Sequence, residues 1–383
     1  MEQKITKRKF IKCSALGVCG AALGLSYFDA IGKISGPMPG RSSDELWKWS
    51  REAIHYIETP KGIKCKLCPQ ACEIKEGETG DCRTRIAKDN RLYTIAYGNP
   101  CAIHIDPIEK KPLYHFLPGS SAYSIATAGC NLACLNCQNW NISQASPHDT
   151  RNYDLMPDKL ISECKRSACD SIAYTYSDPV AFYEYTLDTA KIARKEGIKN
   201  IFISAGYINE TPLREIAAFL DGANIDLKSF SDEIYEMLNA GTLEPVLRTL
   251  RILRDMGVWL EITNLVVPTW TDNLDMIKEM CGWLTENGFQ STPLHFSRFH
   301  PLYKLTNLPS TPLETLKNAL AIAKAEGMHY VYIGNVPASG AENTICPHCG
   351  EVVIERKGYR IIKNNLNKNL CQACGETVAG VWM

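Results

Sequence analysis

The sequence predicts an α/β protein: a partial (β/α)6 barrel with an N-terminal cysteine-knuckle segment and a C-terminal zinc ribbon. Three observations predict it. Short apolar runs alternate with helical patterns from about residue 120 to residue 335. Three cysteines crowd the loop after the first of those runs. Two four-cysteine groups lie outside the alternation, one on each side. The chain accordingly divides into an N-terminal segment (1–36), a four-cysteine segment (44–118), the barrel (119–338) and a terminal module (342–383).

The candidate strands are the 120–129 region, 171–176, 200–206, 223–229, 259–267, 293–299 and 329–335. They are rich in β-branched and aromatic residues without strict alternation, the pattern of strands buried on both faces. Helical patterns separate them. One begins at Ser177-Asp178-Pro179, a cap followed by proline, and stops at Gly197. Another begins at Thr211-Pro212, and a third has Thr311 as its cap, Pro312 next and Gly327 as its stop. Repeated strand–helix alternation implies a parallel sheet with right-handed crossovers. Six or seven such units fall short of an eightfold barrel, so the sheet is expected to stay open. Ligands are then expected at the C-terminal ends of the strands.

A chain of 383 residues has room for one large domain with smaller modules. Hydrophobic content of 45% is enough for a full core. Lys+Arg and Asp+Glu are both 42, so charge gives no reason to expect nucleic acid as a partner. The 17 cysteines are an odd number and mostly fall in short-spaced groups. In a chain this long, that pattern points to metal sites rather than a disulfide framework. Cys164, Cys169 and Cys281 lie apart in helix-like segments and read as small buried hydrophobes.

The first thirty residues open with Lys4, Lys7, Arg8, Lys9 and Lys12, followed by a Gly/Ala/Leu-rich run. The run is too short and glycine-rich for a spanning helix and reads as an export signal. TKRKFIK resembles the twin-arginine motif, with Lys7 in place of the first arginine. The expectation is an exported or membrane-associated protein. The alternative is a cytoplasmic enzyme with a membrane-touching arm. Residues 31–43 are Gly/Pro/Ser-rich and read as a linker.

CNLACLNC supplies Cys130, Cys134 and Cys137. Three thiolates can hold three irons of a [4Fe–4S] cluster and leave the fourth open. The other readings are a zinc site completed by a distant residue such as His148, and a cluster used only for electron transfer.

CNLACLNCQNWNISQ resembles the radical SAM enzymes, more closely the radical SAM member of the AmmeMemoRadiSam system, a branch related to the pyruvate formate-lyase activating enzymes. The resemblance runs through CKLCPQACEIKEGETGDCRTR (65–85), YGNPCAIHIDPIEKKPLYHFLPGS (97–120), SIAYTYSDPVAFYEYTLDTA (171–190), ANIDLKSFSDEIY (223–235), SRFHPLYKL (297–305) and YVYIGNVP (330–337). It implies a radical SAM barrel whose [4Fe–4S] cluster binds S-adenosylmethionine at the open iron. Reductive cleavage then yields a 5′-deoxyadenosyl radical that abstracts hydrogen from a protein or small-molecule substrate. It also implies an electron donor of flavodoxin or ferredoxin type. The alternatives are a glycyl radical enzyme activating enzyme, a non-catalytic iron–sulfur electron-transfer protein, and a zinc-ribbon binding module on a decayed barrel. Two positions depart from the family pattern. Asn136 occupies a slot usually aromatic, and Ser204-Ala205-Gly206-Tyr207 replaces the usual TNGY.

By the same resemblance, Asp178 stands where the methionine amino group binds, although it also reads as a helix cap. Ser204 lies in the departing third-strand turn. Asp226 and Lys228 share a strand face, and the resemblance has them meet the cofactor's amino and carboxylate groups. An internal ion pair is their alternative. Glu261 and His295 are inward polar groups on the fifth and sixth strands, costly unless used, and join the cofactor-binding candidates.

Cys65-x2-Cys68-x3-Cys72-x9-Cys82 offers four thiolates for structural zinc or an auxiliary iron–sulfur cluster. Cys346-x2-Cys349-x21-Cys371-x2-Cys374 has a glycine after each pair and a strand pair between them. It reads as structural zinc, with a rubredoxin-like iron site or a redox dithiol as alternatives.

Overall fold

The computed structural model describes residues 47–336 and 340–382. The export-signal-like stretch, with Cys13 and Cys19, lies outside the described residues. No described helix is long and apolar enough to cross a membrane.

The segment that carries the first four-cysteine group begins with six short strands: β1 (Arg51–Glu52), β2 (Tyr56–Thr59), β3 (Gly62–Cys65), β4 (Glu73–Ile74), β5 (Arg85–Lys88) and β6 (Arg91–Thr94). They make two three-stranded antiparallel sheets, β2-β3-β4 and β1-β6-β5. Asp89 and Asn90 both take positive φ, as a two-residue hairpin between right-twisted strands demands.

Eight further strands form the main sheet: β7 (Ala102–Pro107), β8 (Ser121–Ala126), β9 (Ser171–Tyr174), β10 (Lys199–Ser204), β11 (Gly222–Asp226), β12 (Trp259–Val266), β13 (Leu294–Arg298) and β14 (Val331–Gly334). Their spatial order is their chain order. β7 runs antiparallel to β8, and every pairing from β8 to β14 is parallel. The six intervals hold α1 (Pro157–Arg166), α2 (Tyr183–Lys195), α3 (Glu210–Ala217), α4 (Glu244–Asp255), α5 (Leu274–Glu286) and α6 (Leu313–Ala325). The strand order advances by one each time. With right-handed crossovers, this puts all six helices on one face and leaves the other for polar side chains and loops. β8 and α2 are typical of the packing logic. β8 is buried almost throughout, and α2 buries Tyr183, Leu187 and Ala190 at helical spacing. Burying a large apolar side chain of this kind contributes roughly 1.5–3 kcal/mol.

All seven expected strands form where the apolar runs lie. The unexpected element is β7. It falls within residues 44–118 yet extends the main sheet as an edge strand, with Pro107 at its end and Ile105 exposed. Asp178 caps as expected, accepting Val180 N–H at 3.0 Å, and Pro179 opens a 3-10 turn leading into α2. Thr311 does not cap α6. Its hydroxyl donates to Val266 O at 2.6 Å and accepts Phe299 N–H at 2.9 Å, tying β12 to the end of β13.

The terminal module contains β15 (Thr344–Ile345), β16 (Val352–Lys357), β17 (Arg360–Asn364), β18 (Leu366–Asn367) and β19 (Leu370–Cys371). β16 and β17 form the anticipated hairpin, with Gly358 at φ +60° in its turn. The tail returns to the main body. Val381 N–H donates to His115 O, and Leu117 N–H donates to Val381 O, both at 2.7 Å.

Candidate metal and cofactor site

The loop after β8 is held from several sides before any ligand is considered. Gly129 has φ +99°, and a Cβ there would meet Cys82 O and Thr84 Cγ2 at 2.4 Å, so only glycine lets this loop lie against the Cys82 turn. Ala133 N–H donates to Asn239 O and Leu135 N–H to Leu238 O, at 3.0 and 2.9 Å. Gln70 Nε2 donates to Asn131 O at 3.1 Å, and Asn131 Nδ2 donates to Tyr207 O at 2.6 Å. A loop fixed in this way holds Cys130, Cys134 and Cys137 in place at the C-terminal end of the sheet.

The surroundings of these sulfurs suit a metal–sulfur centre. Leu132 N–H lies 3.4 Å from Cys130 Sγ, and Ser143 Oγ lies 3.0 Å from Cys137 Sγ. Asn239 is buried beside Cys134, where burial raises the thiol pKa and a side-chain hydrogen bond from Asn239 works against that rise. Hydrogen-bond donors around sulfur are a means of tuning such clusters. Burial holds the Cys130 thiol well above its ordinary range, and Asp178 adds to the rise. Such a thiol ionises only against a cation, a condition that metal binding meets. His148 is exposed and belongs to no close ligand group among the described residues.

Four of the remaining candidates lie at the same end of the sheet. Asp178 accepts three donors: Val180 N–H at 3.0 Å, the Ser204 hydroxyl at 3.0 Å and Ala205 N–H at 2.8 Å. Ser204 in turn accepts Gly206 N–H at 3.0 Å. These two residues therefore brace the ends of β9 and β10. Burial pushes the Asp178 carboxyl up, opposed by its hydrogen bonds and by Lys228. Lys228 Nζ pairs with Asp226 Oδ2 at 2.9 Å, and both side chains keep some solvent access. Burial pulls the Lys228 ammonium down, but Asp226 and Cys134 outweigh it and hold the pKa well above the ordinary lysine value. A cation, a carboxylate and the triad thus share one locality.

Glu261 and His295 lie elsewhere. The Asp226 level of β11 matches Thr263 on β12, so Glu261 sits two residues toward the opposite end of the sheet. Its carboxylate accepts Tyr114 N–H at 2.9 Å, His115 N–H at 2.7 Å, Trp259 Nε1–H at 3.1 Å and His295 Nε2 at 2.7 Å. Burial works to raise the Glu261 pKa, but His295, His115 and the backbone donors hold it below the ordinary value. This cluster ties residues 114–115 to β12 and β13, and its hydrogen-bonding capacity is spent within the chain. The structure does not bring these two residues to the triad.

The two four-cysteine groups differ in geometry. Cys346, Cys349, Cys371 and Cys374 bring all four sulfurs within 4.8 Å of one another. Cys346 and Cys374 are 3.7 Å apart, and Cys349 and Cys371 are 3.8 Å apart. Four thiolates about 2.3 Å from one tetrahedral ion stand about 3.8 Å apart. Cys65, Cys68, Cys72 and Cys82 instead line one small cavity, and no three of their sulfurs lie within 4.8 Å of one another.

Several functional contacts escaped sequence reasoning. Asn131 lies inside the triad motif, and Gly129 immediately precedes it, so position alone marked both. Asn239 and the buried Arg85–Glu184 pair join residues distant in sequence, and no local pattern announces them.

The family model for the radical SAM superfamily matches residues 124–284, from β8 into α5. That span holds the triad, Asp178, Ser204, Asp226, Lys228 and Glu261, and excludes both four-cysteine groups. The chain is 44% identical over 331 residues to the uncharacterized protein MJ0808 of Methanocaldococcus jannaschii, covering 86% of this chain and 98% of that protein. It is 22% identical over 216 residues to the pyruvate formate-lyase 1-activating enzyme of Escherichia coli, covering 52% of this chain and 87% of that enzyme. The solved structure of Streptococcus suis SuiB bound to S-adenosylmethionine aligns with a TM-score of 0.44 at 11% identity, over 60% of this chain and 53% of SuiB.

Proposed function

The chain belongs to the radical SAM superfamily of enzymes, and from that premise we propose that Cys130, Cys134 and Cys137 hold a [4Fe–4S] cluster whose fourth iron receives S-adenosylmethionine. When bound, cluster and cofactor supply reductive carbon–sulfur cleavage, and the resulting 5′-deoxyadenosyl radical takes hydrogen from a protein or small-molecule substrate. The observation that carries the reading is the pinned loop. It sets three thiols at the C-terminal end of β8, beside the Asp226–Lys228 pair.

The protein's own residues bind and orient. Lys228 faces the cofactor carboxylate and Asp226 its amino group, so the zwitterion replaces their mutual ion pair. Asp178 and Ser204 act through the backbone they brace, keeping the β9 and β10 loops at the right separation. Glu261 and His295 are left out of the cofactor set because their partners lie within the chain. The barrel reading fits a sheet in chain order that ends at β7 on one side and β14 on the other. Cys346, Cys349, Cys371 and Cys374 hold structural zinc. The electron comes from a flavodoxin- or ferredoxin-type donor.

Anaerobically reconstituted full-length protein, given dithionite and S-adenosylmethionine, is expected to release 5′-deoxyadenosine. Absence of that product with a fully loaded cluster would overturn the reading. Export through residues 1–36 is a separate proposal. Fractionation of a tagged chain tests it, and recovery wholly in the cytoplasm refutes it.

A further inference from the structure

We propose that Cys65, Cys68, Cys72 and Cys82 hold a second iron–sulfur cluster, of the four-iron type, and not zinc. The inference stands apart from the reading above, because it concerns cysteines outside the triad and needs no S-adenosylmethionine chemistry.

Three observations carry it. The first is spacing. Zinc draws four sulfurs to about 3.8 Å from one another. Among the described residues, the one group with all its ligand atoms within 4.8 Å is the C-terminal set. A two-iron cluster would still need its thiolates in close pairs, two per iron, like the 3.7 and 3.8 Å pairs of that set. Four thiols around one cavity, no three of them within 4.8 Å of one another, fit one thiolate per iron on a four-iron cube.

The second observation is the wall. Arg85 is 1% exposed and places Nη1 3.4 Å from Cys65 Sγ. It also donates to Ile54 O at 3.0 Å and pairs with the buried Glu184. The Thr84 hydroxyl lies 3.2 Å from Cys82 Sγ. A buried guanidinium against sulfur suits a cluster that carries the charge of four thiolates, while the Thr84 hydroxyl spends its one proton on Ala181 O at 2.7 Å.

The third is position. Asn131, which follows Cys130 in sequence, lines the same cavity. Gly129 has no room for a Cβ because Cys82 O lies against it. The cavity and the triad therefore share a wall.

The test uses the full chain with Cys130→Ala, Cys134→Ala and Cys137→Ala combined, reconstituted anaerobically with iron and sulfide. This variant cannot load the triad, so its iron–sulfide content reads the second site. The expected content is about four irons, about four sulfides and about one zinc per chain, with a reversible paramagnetic signal on dithionite reduction. Iron-free protein with about two zincs per chain would overturn the proposal. Should the triple variant fail to fold, the fully reconstituted wild-type chain decides. About eight irons support the second cluster, and about four with two zincs refute it.

Discussion

The C-terminal cysteines sit in two matching knuckle turns, whereas the N-terminal four stand around a cavity. In each knuckle, a glycine at φ +78° sends its N–H back to the first cysteine carbonyl, Gly350 to Cys346 and Gly375 to Cys371, at 3.0 and 2.8 Å. Two such turns facing each other curl four sulfurs toward one point. In the N-terminal group, Cys65 ends a strand, Cys68 and Cys72 follow in a loop, and Cys82 belongs to the turn that packs under Gly129. No matching pair of turns draws these sulfurs together, and Arg85 and Asn131 stand in the wall of their cavity. Equal ligand counts therefore produce different sites, and backbone geometry decides how many metal atoms fit between the thiolates. The triad resembles the N-terminal group in this respect, with one ligand fewer.

The contrast breaks most visibly by removing one ligand from the compact set. Cys371→Ser is expected to cost zinc binding worth on the order of 10 kcal/mol, enough to unfold β15–β19. Limited proteolysis should then remove the terminal module while the iron content stays unchanged. Loss of iron in this variant would mean that the two regions are not independent.

Arg85→Met probes the open set. It leaves Glu184 buried without its partner, which costs about 3–5 kcal/mol. Denaturant unfolding measures the loss, and the double variant Arg85→Met/Glu184→Leu should regain much of it. An unchanged midpoint in the single variant would show that the pair is not what stabilises the cavity wall.

The junction between the terminal module and the sheet should respond to pH. His115 Nδ1 donates to Ala379 O at 2.6 Å, and Tyr332 contributes a hydroxyl to Nε2. Burial pulls the His115 pKa down to about 4, with Glu261 opposing. The unfolded chain therefore binds the extra proton more readily. The stabilisation is fully present above about pH 6.5 and is lost as pH falls toward 4, amounting to about 3 kcal/mol. Stability measured at about pH 7 and about pH 5 should fall accordingly in the wild type and change less in His115→Phe.

The smallest expected effect separates the two ends of the sheet. Asp226→Asn should weaken S-adenosylmethionine binding about tenfold, or about 1.4 kcal/mol. Glu261→Gln should leave that affinity unchanged while lowering stability. Equilibrium binding and thermal melts on both variants check the pair, and the reverse pattern would place the cofactor at the wrong end.

Much of this was legible in the sequence because it depends on local pattern. The strands from β8 to β14 announce themselves as apolar runs, since burial on both faces leaves no alternation to misread. The triad and the C-terminal knuckles are written in spacing. What was not legible depends on position along the sheet axis or on distant partners. Glu261 and Asp226 both look like inward polar groups on strands, and only register reveals that they serve different ends. β7 was hidden because an edge strand carrying His104, Asp106 and Pro107 lacks an apolar run. Thr311 read as a cap because the same residue type that caps a helix also bridges two strand ends.

The open iron is the central claim, and electron paramagnetic resonance of the reduced full-length protein tests it most directly. Spectra are compared with and without S-adenosylmethionine in the wild type and in Cys65→Ala/Cys68→Ala. Added cofactor should shift the triad signal in both proteins, while the second cluster's signal, present only in the wild type, should stay as it was. A triad signal indifferent to S-adenosylmethionine in both proteins would contradict the account.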